Sequence, residues 1–200
     1  MSSITTNTGG SVVINGGLIK TTGAQTINKA ITLGADTTLR GVNVALMSTV
    51  DGAQALTIYD SGTTVLGGII GGTTPLLSLT TDSLTTAAGE THLKGASIHV
   101  TADAVFHDIV KVFTDVTLQT GGDLTFMQTV NGDTANTRSL TLDAGGLGHI
   151  TAQGVVHDLE NNVVISIEVK RRVTTKTGQR YSDDMIATTG KARSLGERSL

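Results

Sequence analysis

The residues in this chain that could do chemistry are few and scattered. There are five histidines in 200 residues and no cysteine. Two of the histidines precede an aspartate, His107-Asp108 and His157-Asp158. A metal centre of the hydrolase type needs several more ligands converging on such a pair. On an extended chain neighbouring side chains point to opposite faces, so neither pair can offer both groups to one site. Both pairs read as polar turn or surface residues. His92 and His99 have no companion at ligand spacing. No serine stands in a GxSxG elbow. The glycines lack the Lys-Ser/Thr that completes a phosphate loop, and no GxGxxG opens a helix. Gly121-Gly122-Asp123 is a fragment of a calcium-binding nonapeptide and reads as a turn. The acids lie one by one in turns rather than paired for acid–base work on a glycoside. The sequence therefore assigns no catalytic residue, no cofactor-binding residue and no metal ligand. It leaves ligand-binding residues open and implies no cofactor.

The elements that would have to position any site are strands. Leu, Ile, Val and Phe make up 54 of 200 residues, enough for a core. That material is nearly all aliphatic, since aromatics are 2% and Trp is absent. A wide globular core uses rings to fill space, whereas thin layers of Val, Ile and Leu do without them. Thr (35 residues) and Gly (25) dominate the remainder. Thr favours extended chain and Gly the tight turns between strands.

Alternation confirms the strand reading. Val42, Val44 and Leu46 alternate, as do Leu56 with Ile58, Leu124 with Phe126, Leu140 with Leu142, and Ile165, Ile167 and Val169. A period of two means one buried face. Turn dipeptides separate these runs, among them Gly16-Gly17, Asp51-Gly52, Gly67-Gly68 and Asn131-Gly132.

The chain also resembles itself. Residues 22–39, TGAQTINKAITLGADTTL, align without gaps on residues 101–118, TADAVFHDIVKVFTDVTL, placing Leu39 on Leu118 at an offset of 118 − 39 = 79. Val50-Asp51-Gly52 then matches Val130-Asn131-Gly132, and a third copy begins near Thr177. Asp-Gly and Asn-Gly can close hairpins, but a meander has no reason to repeat at such a length. A solenoid has. The expected fold is all-β, a right-handed parallel β-helix of roughly 8–10 coils with an irregular C-terminal tail. Residues 1–172 form the repeat region, copy one spanning about 16–95 and copy two about 96–172. Residues 173–200 hold the degenerate third start and a basic tail. With coils of roughly 20 residues, one copy fills about four coils.

Residues 170–200 carry eight of the 14 Lys and Arg and three acids, a balance of +5 against −8 for the rest. No aromatics interleave with these charges, so nucleic acid is not an expected partner. No apolar run approaches a membrane span, so membrane insertion by this segment is not expected either. No signal peptide is visible at the start.

The strings GGLIKTTGAQTINKAITLGADTTLRG, VDGAQALTI and GGTTPLLSLTTD resemble the repeats of large bacterial filamentous-haemagglutinin-like and autotransporter-like adhesins. The resemblance is close over residues 10–95, looser over 96–160 and faint past 172. It implies a β-helical stalk or display scaffold at the cell surface or secreted, and no enzymatic activity. The implied partners are neighbouring repeats of a longer chain and host-cell or surface glycans and proteins. Two other readings stay open. One is a β-helical polysaccharide-acting enzyme or tailspike-like glycan binder. The other is a surface-binding solenoid using flat Thr arrays, although pairs such as Thr37-Thr38, Thr63-Thr64 and Thr80-Thr81 lack a strict short period.

Overall fold

The computed structural model describes residues 1–81, 89–133, 138–145 and 148–154, and the backbone of strands at 156–157, 164–174 and 180–187. The described residues are all β and turn, with no helix. Strands come in triplets, one strand for each side of a three-sided coil. The first triplet is β1 (Ile4–Thr5), β2 (Ser11–Ile14) and β3 (Leu18–Lys20). Then follow β4 (Gln25–Ile27), β5 (Ala30–Leu33) and β6 (Thr37–Gly41), and β7 (Val44–Leu46), β8 (Val50–Asp51) and β9 (Ala55–Asp60). The fourth triplet has β10 (Thr63–Leu66), a single bridging residue, Ile70, and β11 (Ser78–Thr81). Next come β12 (Glu90–Leu93), β13 (Ser97–Val100) and β14 (Ala104–Phe106), then β15 (Ile109–Val112), β16 (Val116–Thr120) and β17 (Leu124–Phe126). The seventh triplet is β18 (Val130–Gly132), β19 (Ser139–Ala144) and β20 (Ile150–Ala152). The chain ends in β21 (Val156–His157), β22 (Val164–Thr174) and β23 (Arg180–Ala187).

Three parallel sheets result. Sheet one stacks β1-β4-β7-β10-β12-β15-β18-β21, and sheet three stacks β3-β6-β9-β11-β14-β17-β20. Sheet two runs β2-β5-β8, crosses through Ile70, which bridges Val50 and Ile98, and continues β13-β16-β19-β22-β23. Only the last pair, β22 with β23, is antiparallel. This is the expected parallel β-solenoid.

The climb is about 6 turns, fewer than the 8–10 expected, and about 30 Å at the usual strand spacing. Two causes are visible. Coils vary in length: Gln25 pairs with Val44, 19 residues on, but Thr63 pairs with Glu90, 27 residues on. The last 11-residue strand, β22, then turns back into a hairpin instead of starting another coil.

The core is a set of ladders. Val12, Ile31, Val50, Ile70, Ile98, Leu118 and Leu142 stack along sheet two. Ile27, Leu46, Leu66, Leu93 and Val112 stack along sheet one. Phe106 lies on Phe126 in sheet three, ring centroids 5.2 Å apart and nearly parallel, and both are buried. Each side chain covers its counterpart in the next coil, so burial depends on stacking and not on any one coil.

The internal repeat and the coil do not share a period. Ile27 lies in sheet one and its match Phe106 in sheet three; Leu39 lies in sheet three and Leu118 in sheet two. From β4 to β14 the chain passes eleven strand positions, Ile70 included, which is three coils and two sides. One copy therefore falls a side short of four coils. The β23 stretch that would carry Tyr181, Ser182 and Met185 is described only as backbone, and Gln179 and the end of the tail lie outside the described residues.

Candidate functional site

The turns determine what the outside of the rod can do, and acids occupy them as caps. Asp36 Oδ1 accepts the backbone N–H of Ala55 at 2.9 Å. Asp51 accepts those of Thr73 and Thr74 at 2.7 and 3.0 Å. Asp103 accepts from Asp123, Asp115 from Ser139, and Asp123 from His149, each at 2.8 Å. Asn43 and Thr6 do the same for Thr63 and Asn28. In every one of these bonds the oxygen belongs to the earlier coil and the N–H to the later one. The acids that looked scattered in sequence are thus fixed to turn N–H groups that strand pairing cannot reach. Gly121 and Gly122 form a bend, and Asp123 is its cap. Hydrogen bonds from the His149 backbone and ring hold the Asp123 carboxyl below its ordinary pKa.

Asp60 breaks this pattern and points inward. It is buried and reaches back to the N–H groups of Asn43 and Val44 at 2.7 and 2.6 Å, while Thr64 donates its hydroxyl at 3.2 Å. Asn43 turns the corner in the left-handed region, φ 60°. Two coils on, Asp108 takes the same corner, between sheets three and one. It is 3% exposed and receives the hydroxyls of Thr91 (2.9 Å) and Thr81 (3.2 Å). Burial pushes its carboxyl pKa up; the hydroxyl bonds oppose this and Asp60 adds to it. With buried Thr21 and Gln25 these residues form a polar seam inside one corner of the rod.

The expectation of a surface Asp108 is corrected here. Alternation does split the pair, with His107 only half-buried, but it sends Asp108 into the core. The pair is not brought to one site. His157-Asp158 lies outside the described side chains. His92, which lacked a companion in sequence, has one in space. Its Nε2 is 2.9 Å from Glu90 Oε2, and Lys111 Nζ is 2.7 Å from Glu90 Oε1. Those two bonds, Lys111 first, hold Glu90 below its ordinary pKa. The Phe113 ring packs 4.6 Å from His92, with the Lys94 ammonium 4.7 Å from its centre. Among the described residues, no three His, Asp or Glu side chains come close enough to hold a metal ion.

The largest regular feature outside is a rank of hydroxyls on sheet three. Leu18, Thr38, Thr57, Thr80, Val105, Thr125 and Thr151 are consecutive register partners. None of the threonines is buried. Adjacent members stand one strand spacing apart, about 4.8 Å. Sequence intervals hid this rank: 19 residues from Thr38 to Thr57, 23 to Thr80 and 25 to Val105. The Thr-Thr pairs explain the rest. Thr38, Thr63 and Thr80 face outward while Thr37, Thr64 and Thr81 are buried. Lys20, Arg40 and Tyr59 line up beside the rank. Compared with protein-family models, curated proteins and solved structures, the chain matches none of them.

Proposed function

We propose that this chain is a structural and adhesive segment of a cell-surface or secreted bacterial adhesin, a rod that carries load along its axis and presents contact ranks on its sides. The observation that carries this reading is the hydroxyl rank of sheet three, raised on a continuous ladder core. A rod whose interior is stacked aliphatic side chains holds its outer groups at fixed spacing without needing a pocket. Multiple weak hydroxyl contacts at one spacing suit a repetitive partner such as a surface glycan. The acids support a binding role over a hydrolytic one, because those of the turns cap N–H groups and Asp60 and Asp108 are buried. The rank also lends support to a surface-binding solenoid, whose Thr array the stacking makes regular.

The test is adhesion by the full chain to glycan-coated surfaces, compared with Thr57→Lys and Thr80→Lys variants. Both positions face outward, so the fold is expected to persist. Loss of adhesion with an unchanged circular dichroism spectrum is the expected result. Equal adhesion would discard the rank as the contact surface, and release of reducing ends would favour an enzyme.

A further inference from the structure

We infer that the N-terminal end of the solenoid is a docking surface for a parallel β-coil of a partner chain that is acidic at its turns. This rests on the fold alone and not on the adhesive role.

Three observations converge on that end. First, β1, β2 and β3 are each the terminal strand of their sheet, so three backbone edges open in one plane. Edges of this kind take up further strands. Second, the core ladders are cut there. Val12 and Ile19 occupy the inward positions held further along by Ile31 and Leu39, which are 2% and 1% exposed. Val12 and Ile19 are themselves only partly buried, because no coil covers them. Third, the charge is one-sided. Residues 1–35 contain Lys20 and Lys29 and no acid.

The caps specify the partner. Along the rod an outward side-chain oxygen of each coil reaches forward to a turn N–H of the next. The first coil has no coil before it to supply such oxygens. A partner coil continuing the stack would bring them, and acidic turn residues would also meet the two lysines. A second copy of the chain fits less well. Head to head it sets lysine against lysine. Head to tail, sheet two of the other copy ends in the antiparallel β23, one strand beyond sheets one and three.

The probe is a synthetic peptide of residues 97–124 of this chain, one coil that includes Asp103, Asp115 and Asp123. It is titrated against the full chain, with amide hydrogen exchange and fluorescence anisotropy as readouts. The expected result is new protection confined to residues 1–20 and saturable, salt-sensitive binding. Combined Lys20→Glu and Lys29→Glu substitution should weaken binding about tenfold, as should replacing the three peptide aspartates with asparagine. Absence of protection at that end would overturn the proposal, and so would binding indifferent to both charge changes. Self-association of the chain alone, burying the same amides, would replace the acidic partner with a second copy.

Discussion

The Thr91 hydroxyl lies 2.9 Å from both carboxylate oxygens of Asp108, and all three atoms are inside the rod. No cation accompanies that carboxylate among the described residues; its near neighbours are Thr81, Thr91 and a second acid, Asp60. His107, Glu90, His92 and Lys111, on the neighbouring strands, lie on the partly exposed outer face.

This relationship sets an unusual pH dependence. A carboxyl whose folded pKa is raised binds its proton more tightly in the native than in the unfolded chain. Its contribution to stability is full below the unfolded value and is lost as pH rises through the folded one. Asp108→Asn keeps an acceptor for the two hydroxyls and removes the charge. The variant is expected to be more stable than the parent at neutral pH and equal to it in acid. Urea melts at pH 3.5 and pH 7 check this, and identical pH profiles would contradict it.

Asp123 acts with the opposite sign. Its lowered pKa means that it supports the fold above the unfolded value and ceases to as pH falls through the folded one. A carboxyl-detected NMR titration should place its midpoint below that of a free aspartate. His149→Ala, which removes the ring contact but keeps the backbone donor, should return the midpoint part of the way.

The ladder core predicts steep costs for truncation. Phe106→Ala opens a void against Phe126 in a place no loop can fill, and about 3–5 kcal/mol should be lost. Denaturant unfolding measures it directly. A loss under about 1 kcal/mol would show that the coils collapse around the gap.

Two glycines form a matched pair. Gly52 has φ +124° and its missing side chain would meet the Leu33 backbone, whereas Gly16 has open space around it. Gly52→Ala should therefore destabilise by more than about 1 kcal/mol, and Gly16→Ala should leave thermal stability nearly unchanged.

Removing one turn cap has a smaller effect. Asp51→Ala frees the N–H groups of Thr73 and Thr74, which water can partly satisfy, so about 0.5–1.5 kcal/mol is expected. Faster amide exchange at those two residues should accompany it.

Much of the fold was legible because alternation and turn dipeptides are local signals. Leu56 and Ile58 announce β9, and Gly121-Gly122 the bend before β17, with no knowledge of neighbours. What sequence could not show is which residues from different coils meet. Thr38, Thr57 and Thr80 become a rank only after the 27-residue coil and the 19-residue coils are wound to the same circumference. Asp108 looked like any polar turn residue, because its partners Thr81 and Thr91 are 27 and 17 residues away. The number of turns was overestimated because a uniform coil of roughly 20 residues was assumed.

The mismatch between the eleven-strand copy and the three-sided coil has a geometric consequence. A motif repeated once per copy is advanced by two sides of a triangle, and so is set back by one. Over three consecutive copies it would visit every side before returning to its starting azimuth. An array of such copies would present the same epitope in a slow screw around the shaft, reachable from any direction of approach.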